Sequence, residues 1–463
     1  MSLKNAAPQG VAKGGLSLSQ AAVNYGGTLL YPDCHFARVC TDTRSLSSGD
    51  LFVALRGDNF DAHQFLESAA LKACGMVVET PDKRLAIPQW VVPNTLLALG
   101  QLGALARNAF KGPLIAITGS GGKTTVKEML AVILRCQGEV LATAGNLNNH
   151  IGVPQTLLKL QPEHQFAVIE MGASAGGEID YLCSIARPTI AVVTNVMPAH
   201  VAGFGSLAGV ASAKGEIYSG LDKCGTAILN LDEPWYQQWR SSVHGIQAQS
   251  FSVDNSTADF YASAVQFDTE ACASFMLHSP LGDIEIQLAI PGAHNIANAL
   301  AAAACAVAAG ADLVSIAAGL AAMAGAPGRM ERKPGLCGAR IIDDSYNANP
   351  GSVKAAIDAL VAMPGKHLLV LGDMGELGPK EKSMHREIGV YARHAGVDGL
   401  YTTGVLSAET AAGFGEGSEH FADKAALSAA LASQLNADAV VLVKGSRSAA
   451  MEDVVARIIE END

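Results

Sequence analysis

The sequence predicts an α/β protein of three domains, on three observations. Its 463 residues exceed what a single hydrophobic core usually supports, since domains commonly hold roughly 150 residues. Short apolar runs of strand length alternate with segments of helix length, a pattern typical of mostly parallel sheets covered by helices. The pattern starts again at two places, after Lys111-Gly112-Pro113 and after Gly325. The predicted domains are therefore residues 1–112, 113–325 and 326–463.

The N-terminal domain mixes short apolar runs with turn-rich connections, which predicts a small α/β domain. The apolar runs at residues 51–55 and 75–79 are its candidate strands. The first residues, MSLKNAAPQGVAKGG, contain no apolar stretch of the kind that a secretion signal requires. We therefore expect a flexible extension here rather than a signal peptide.

The central domain opens with a buried strand at residues 114–118, followed by a glycine loop and a helix at residues 124–134. Helix-length segments separate the apolar runs that follow, so a mostly parallel, doubly wound sheet is expected. The alternating stretch at residues 251–290 predicts a β insertion, and an alanine-rich helix should begin near His294. The other predicted strands are residues 166–171, 190–196 and 226–231.

The C-terminal domain repeats the alternation of strand and helix on a smaller scale, which predicts a Rossmann-like domain. Its helices are expected at residues 352–362 and 382–394. Its strands are expected at residues 340–343, 367–371, 399–402 and 439–443.

Composition disfavours several classes of function. The net charge is −12, so we expect no non-specific binding to nucleic acid or to an anionic membrane surface. The alanine-rich run at residues 299–311 is too short and too weakly apolar to cross a bilayer. The nine cysteines form no C-x-x-C pair, which favours reduced thiols over a zinc site. These features predict a cytoplasmic protein without membrane insertion, and we expect a monomer.

A glycine-rich loop, TGSGGKTT at residues 118–125, joins the first central strand to the following helix. Bare backbone N–H groups at the positive end of a helix suit a polyphosphate. Lys123 would reach the β and γ phosphates of ATP, and the Thr124 hydroxyl would contact Mg²⁺. The loop departs from the usual pattern because Ile117 stands where the first glycine belongs, and the alternative is a glycine-rich turn with a chance Lys-Thr pair. The residues predicted to bind ATP here are Gly119, Ser120, Gly121, Gly122, Lys123, Thr124 and Thr125.

Three further side chains lie at or beyond predicted strand ends of the central domain. Glu170 stands near the end of one strand and His200 follows the next, at the edge where open α/β sheets bind ligands. A carboxylate at this edge can hold Mg²⁺. By residue type alone, His200 is more often a surface or packing residue, and Lys214 is an ordinary solvated lysine.

Nine motifs together resemble the Mur ligase family and extend over nearly the whole chain. Within the family they are most similar to the ligases that add D-alanyl-D-alanine to a UDP-linked tripeptide. The first domain adds a further likeness in TDTR at residues 41–44 and GDLFVAL at residues 49–55. The nine motifs are TGSGGKTTVKEML (118–130), NLNNHIGVPQTLL (146–158), IEMGAS (169–174), NVMPAHVAGFGS (195–206), AKGEI (213–217), PGAHNIANALAA (291–302), GRME (328–331), DDSYNANP (343–350) and LGDMGELG (371–378).

The resemblance implies a nucleotide and metal site shared between two domains, with Lys123, His200 and Lys214 as catalytic residues. Thr124 and Glu170 would bind the Mg²⁺ that bridges the ATP phosphates. Glu170, His200 and a carbamoylated Lys214 would support a second Mg²⁺, because a carbamate is an oxygen-rich anion that a hard metal prefers. The implied nucleotide contacts of the later motifs are His294, Asn295, Asn298, Arg329 and Asp344. The alternatives are helix N-capping for the asparagines and a turn-forming role for Asp344.

The resemblance also implies the two substrates, UDP-N-acetylmuramoyl-tripeptide and D-Ala-D-Ala. Thr43, Arg44, Asn148 and Asn149 would contact the first, and Tyr346, Asn347 and Asn349 of the third domain would contact the second. The alternatives are a surface ion pair at Arg44 and asparagines that only shape a turn.

The implied reaction proceeds through an acyl phosphate and yields UDP-N-acetylmuramoyl-pentapeptide, ADP and phosphate, a step of peptidoglycan precursor synthesis. Within the enzyme class, the alternatives are another Mur ligase or a folylpolyglutamate synthase. From a different class, the alternative is a nucleotide-dependent switch.

Overall fold

Three principal β-sheets, each with helices packed against it, make up the computed structural model, which describes residues 15–57, 59–198 and 201–460. Each of these sheets carries a hydrophobic cluster on both faces. Three sheets, each with a hydrophobic core on both faces, confirm the predicted three-domain α/β architecture. Two predictions, the extension at residues 1–14 and the role of His200, lie outside the described residues.

The first domain contains the strands β1 (Leu16–Ser17), β2 (Thr28–Leu30), β3 (His35–Phe36), β4 (Val39–Cys40), β5 (Leu51–Val53), β6 (Arg56–Gly57), β7 (Phe60–Asp61), β8 (Gly75–Val78) and β9 (Gln89–Val91). Its helices are α1 (Leu18–Tyr25), α2 (Leu66–Ala70) and α3 (Thr95–Ala109). Five strands form one sheet in the order β2-β9-β8-β5-β4, and β5 and β8 are the two predicted strands.

The central domain contains the strands β10 (Leu114–Thr118), β11 (Glu139–Ala142), β12 (His164–Glu170), β13 (Ile190–Val193), β14 (Thr226–Asn230), β15 (Gln247–Ser252), β16 (Phe260–Phe267), β17 (Cys272–Ser279) and β18 (Gly282–Pro291). Its helices are α4 (Lys123–Arg135), α5 (Gly152–Leu157), α6 (Glu178–Ala186), α7 (Val201–Phe204), α8 (Leu207–Ser219), α9 (Tyr236–Ser242), α10 (His294–Ala308) and α11 (Leu313–Ala322).

The central strands bury side chains on both faces, as their continuous apolar runs predict. Along β10, Ile115 and Ile117 join the cluster on one face, whereas Leu114 and Ala116 join the cluster on the other. This alternation follows from the two-residue period of a strand. The parallel strands stand in the order β11-β12-β10-β13-β14-β15-β16. The strand β10 is therefore an inner strand of the sheet, and the glycine loop follows its end.

Two details of the central domain differ from the sequence-based expectation. The β insertion is not a separate unit, because β15 and β16 pair in parallel with the main sheet and β17 and β18 extend it antiparallel to nine strands. The strand predicted at residues 190–196 ends at Val193, because the backbone beyond it bonds to the glycine loop, with Ser120 N donating to Asn195 O at 3.0 Å.

The C-terminal domain contains the strands β19 (Glu331–Pro334), β20 (Arg340–Asp344), β21 (Lys366–Leu371), β22 (Gly399–Thr403), β23 (Ser418–Phe421) and β24 (Ala439–Lys444). Its helices are α12 (Pro350–Val361), α13 (Glu381–Ala395), α14 (Ser407–Phe414), α15 (Lys424–Ala432) and α16 (Glu452–Ile458). The sheet order β19-β20-β24-β21-β22-β23 is parallel except for β19, which agrees with the predicted Rossmann-like domain. Among the described residues, no helix combines the length and apolar character that a membrane span requires.

Helix α3 connects the first domain to the second. It packs mainly against α5 and α6 of the central domain, although Leu99 and Leu102 also belong to a core cluster of the first domain. The buried Arg107 donates to Ala186 O at 2.7 Å and to Arg187 O at 3.0 Å, which satisfies carbonyl groups at the end of α6. The predicted boundary at residue 112 stays a prediction.

Candidate active site

A cavity of about 570 Å³ lies where the central and C-terminal domains meet. The glycine loop, the end of β12, the start of α10 and the segment between β20 and α12 all contribute to its wall. The predicted residues that line it are Gly119, Ser120, Gly121, Gly122, Lys123, Thr124, Thr125, Asn148, Asn149, Glu170, Lys214, His294, Asn295, Asn298, Arg329, Asp344, Tyr346, Asn347 and Asn349. The structure therefore brings most of the predicted site together.

The phosphate loop, residues 119–122, turns sharply between β10 and α4. Gly119 and Gly122 have φ values of 151° and 74°, which side chains other than glycine rarely adopt. The N–H groups of Ser120 and Gly121 donate to Asn195, at 3.0 and 2.8 Å. The sequence led us to expect bare N–H groups in this loop, but these two groups are already bonded. The donors that face a phosphate are therefore those of the first turn of α4.

Glu170 is buried at the end of β12 with both carboxylate oxygens bound. Its Oε2 accepts from Thr124 Oγ1 and its Oε1 from Asn148 Nδ2, each at 2.8 Å. Its own backbone N–H donates to Thr143 Oγ1 at 2.9 Å. Asn148 thus positions the carboxylate, whereas the sequence analysis assigned it to the UDP-linked substrate.

Two lysines face this carboxylate region. Burial lowers the pKa of Lys123, and Arg329 lowers it further while Glu170 opposes the shift. Lys123 Nζ donates to Gly119 O at 2.8 Å, so it folds back over the loop. Lys214 is only 3% exposed, and burial, reinforced by Lys123, lowers its pKa to about 7. The reading of Lys214 as an ordinary solvated lysine is therefore wrong.

The three residues predicted at the start of α10 share one side of the cavity. Asn295 Nδ2 donates to Pro291 O at 2.7 Å, and Asn298 Nδ2 donates to Asn295 Oδ1 at 2.9 Å. The residue before the helix is Ala293, which makes no side-chain cap, so the N-capping alternative is wrong. Burial lowers the pKa of His294, and its Nδ1 is buried without a partner among the described residues.

Asp344 is held by a buried lysine from the neighbouring strand. Lys444 Nζ, at the end of β24, donates to Asp344 Oδ2 and to Asn347 O. Asp344 Oδ1 accepts from Met330 N at 3.2 Å. The turn-forming role considered for Asp344 belongs instead to Asp343, which accepts from Ser345.

The remaining third-domain residues contribute in different ways. The guanidinium carbon of Arg329 lies 4.2 Å from the ring centroid of Tyr346, which fixes both side chains by a cation–π contact. Asn349 caps α12, with Oδ1 accepting from Ser352 N at 2.9 Å, so its oxygen shapes the helix start as the alternative proposed. Asn347 Oδ1 accepts from Ala348 N at 2.9 Å.

Two predicted substrate residues, Thr43 and Arg44, do not line this cavity. The Arg44 side chain is 89% exposed, and its Nη2 pairs with Asp42 Oδ2 at 2.7 Å. The surface ion pair named as the alternative is present.

Among the residues of the cavity wall that sequence reasoning missed are Asn195, Met197, Lys444 and Arg447. Lys444 and Arg447 stand at and just beyond the end of β24, a strand that the sequence predicted. The rule that ligands bind beyond the carboxyl ends of parallel strands pointed to them. Asn195 and Met197 follow β13 in the same way.

Comparison with known proteins agrees with this geometry. The model of the Mur ligase middle domain matches residues 117–306, and that of the Mur ligase glutamate ligase domain matches residues 328–447. The UDP-N-acetylmuramoyl-tripeptide--D-alanyl-D-alanine ligase of Escherichia coli strain K12 is 46% identical over 451 residues, covering 96% of this chain and 99% of that protein. The chain belongs to the Mur ligase family.

Solved structures support the assignment to the Mur ligases. A crystal structure of MurF from Acinetobacter baumannii superposes with a TM-score of 0.88 at 36% identity, covering 95% of this chain and 97% of that one. MurF of Thermotoga maritima in complex with ADP gives a TM-score of 0.82 at 27% identity, covering 91% and 96%. This Mur ligase is accordingly an ATP-dependent ligase, and its three-domain fold is that of the family.

Proposed function

We propose that this Mur ligase joins D-Ala-D-Ala to UDP-N-acetylmuramoyl-tripeptide, the reaction for which its relatives are named. The observation that carries the proposal is the cavity itself, which places the phosphate loop of one domain opposite the segment at residues 344–349 of another. A ligase needs this arrangement because it must bring three reactants together. The product, UDP-N-acetylmuramoyl-pentapeptide, is a precursor of peptidoglycan.

The chemistry requires activation of a carboxylate, because hydroxide is a poor leaving group. A carboxylate oxygen of the tripeptide attacks the γ-phosphorus of ATP, and the bond from that phosphorus to the oxygen of ADP breaks. The amine of D-Ala-D-Ala then attacks the acyl phosphate carbonyl, loses a proton and releases phosphate. Lys123 and the first turn of α4 stabilise negative charge on the transferring phosphoryl group.

The residues present fit the two Mg²⁺ ions that the family implies. Thr124 and Glu170 offer hydroxyl and carboxylate oxygens, the donors that this hard cation prefers, and they already touch each other. A bound Mg²⁺ supplies charge neutralisation between a carboxylate and ATP. Three His, Cys, Asp or Glu side chains do not cluster anywhere in the described part of the chain. For the second ion we propose an additional oxygen donor.

Lys214 is the proposed source of that donor. With a pKa of about 7, a large fraction of its amine is neutral near neutral pH. The neutral nitrogen attacks the carbon of CO₂, a nitrogen–carbon bond forms, one proton leaves, and a carbamate results. That anion would hold the second Mg²⁺ with Glu170 and with His200.

The nucleotide and the two substrates are assigned to separate parts of the molecule. His294, Asn295, Asn298, Arg329 and Asp344 would contact ATP on the side away from the tripeptide. Thr43, Arg44 and Asn149 would contact the UDP-peptide, while Asn148 holds the Glu170 carboxylate by its hydrogen bond. Tyr346, Asn347 and Asn349 would serve the dipeptide.

A phosphate-release assay tests the function. Phosphate should appear only when ATP, the UDP-tripeptide and D-Ala-D-Ala are all supplied. Release without the dipeptide would favour a nucleotide switch, and use of glutamate or diaminopimelate in its place would favour another Mur ligase or a folylpolyglutamate synthase. The cytoplasmic location and the monomeric state stay predictions.

A further inference from the structure

The Met197 side chain lies between the phosphate loop and the C-terminal domain. Its terminal methyl group lies against Gly121 of the loop, and its sulfur lies against Gly351 in the first turn of α12. A Cβ atom added at either glycine would overlap this side chain. The Met197 side chain therefore fills the space between the two domains, and the backbone of each domain comes close to it.

The backbone around Met197 is fixed to the phosphate loop. Thr194 Oγ1 donates to Gly121 O at 2.6 Å, and Ser120 Oγ donates to Met197 O at 3.1 Å. Asn195 adds the two bonds to loop N–H groups described above. Residues 194–197 consequently move with the loop, and the Met197 side chain is the part of this unit that reaches the third domain.

Gly351 has no conformational need to be glycine. It lies within α12, and its φ is outside the left-handed region that glycine alone tolerates. Inside a helix, alanine is favoured over glycine. The close approach of the Met197 sulfur is the constraint that the structure shows at this position.

We propose that Met197 is a positioning residue that couples the placement of the C-terminal domain to the phosphate loop. The inference rests on the proposed ligase function. Because α12 directly follows the segment at residues 344–349, a shift of α12 against the loop moves Asp344 and Asn347 relative to Lys123. Methionine suits this place because its unbranched thioether keeps contact while the packed surfaces slide.

A double-mutant cycle tests the coupling. We expect Gly351→Ala to lower kcat by up to about tenfold, because the added methyl group must push aside the flexible end of the Met197 side chain. Met197→Ala should remove the overlap, so the losses of the two single variants should not add in the double variant. ADP binding measured without the other substrates should change little in all three variants, because the nucleotide contacts of the central domain stay intact.

Controls separate this role from simple loss of stability. Met323→Ala truncates a buried methionine of the central core, away from the cavity, and should lower the unfolding temperature without changing kcat. Met197→Leu should keep kcat close to wild type, whereas Met197→Ala alone should lower it. Full kcat in Met197→Ala, or additive losses of the two substitutions in the double variant, would overturn the inference. A wild-type enzyme without dipeptide-dependent phosphate release would instead refute the proposed function.

Discussion

The Thr124 hydroxyl donates to Glu170 at 2.8 Å, across the junction between the first turn of α4 and the end of β12. Asn148 holds the other oxygen of the same carboxylate, also at 2.8 Å. The carboxylate is therefore oriented by side chains of the protein itself. Groups arranged in this way need no reorganisation during the reaction, which is the main source of electrostatic catalysis.

Glu170→Gln tests the assignment of this carboxylate to a metal. The amide keeps the shape of the side chain but removes its charge, so we expect kcat to fall by about 10²–10³ and the Mg²⁺ requirement to shift to higher concentration. Thr124→Ser, which keeps the hydroxyl, is the matched control and should stay within about tenfold of wild type. An unchanged Mg²⁺ titration of Glu170→Gln would remove Glu170 from the metal site.

Lys123→Ala should abolish phosphate release, because one cation aimed at a transferring phosphoryl group supplies several kcal/mol, on the order of 3, in the transition state. The measurement is phosphate release with all substrates saturating. Lys111→Ala is the control, since Lys111 is an exposed lysine whose Nζ donates to Asn108 O. Activity of Lys123→Ala within about tenfold of wild type would contradict the phosphate-loop assignment.

Local patterns predicted the main strands and the phosphate loop, whereas the resemblance to the Mur ligases supplied most of the other predicted residues of the cavity wall. Continuous apolar runs identified β10, β12 and β13, and the ends of parallel strands located Glu170. The match between Lys123 and the glycine loop also needed only neighbouring residues.

What the sequence could not predict are pairs brought together by tertiary packing. Lys444 and Asp344 are 100 residues apart and meet only because β20 and β24 are adjacent in the sheet. Asn195 accepts hydrogen bonds from two loop N–H groups because β13 lies beside β10. The burial of Lys214 likewise comes from the packing of α8, since its residue type favours solvent.

Lys214→Ala should lose most activity, and a small carboxylate such as formate should restore part of it by replacing the carbamate. The pH dependence has a defined sign. Burial lowers the pKa of Lys214 to about 7, so the neutral amine that reacts with CO₂ is present above that pH and is lost as pH falls through it. Wild-type activity should therefore decline below about pH 7, and more steeply in buffers depleted of CO₂.

The control for Lys214 is Lys223→Ala, which removes an exposed lysine from the loop after α8. It should leave both activity and CO₂ dependence unchanged. A fully active Lys214→Ala enzyme would exclude Lys214 from the site, and stimulation of the Lys223 variant by formate would show that the carboxylate acts elsewhere.

Lys444→Met should destabilise the C-terminal domain, since it leaves the buried Asp344 carboxylate without its partner. Removing one partner of a buried ion pair lowers the free energy of unfolding by about 3–5 kcal/mol. Thermal unfolding followed by circular dichroism measures the loss. The double variant Lys444→Met/Asp344→Leu should regain stability but not ligase activity, because Asp344 is also proposed to contact the nucleotide. Recovery of activity in the double variant would restrict Asp344 to a structural role.

The division of substrates between the outer domains is tested by Arg44→Ala, which should chiefly raise KM for the UDP-peptide. Its pair with Asp42 is exposed to solvent and therefore weak, so the guanidinium can leave that pair for the stronger charge-assisted bonds of a diphosphate. Arg84→Ala is a closely matched control, because Arg84 bonds Asp82 through the same backbone and side-chain atoms. Asn347→Ala should instead weaken D-Ala-D-Ala use and leave the UDP-peptide KM nearly unchanged. Equal effects of Arg44→Ala and Arg84→Ala would reduce Arg44 to a surface ion pair, and a rise in the dipeptide KM with Arg44→Ala would refute the division.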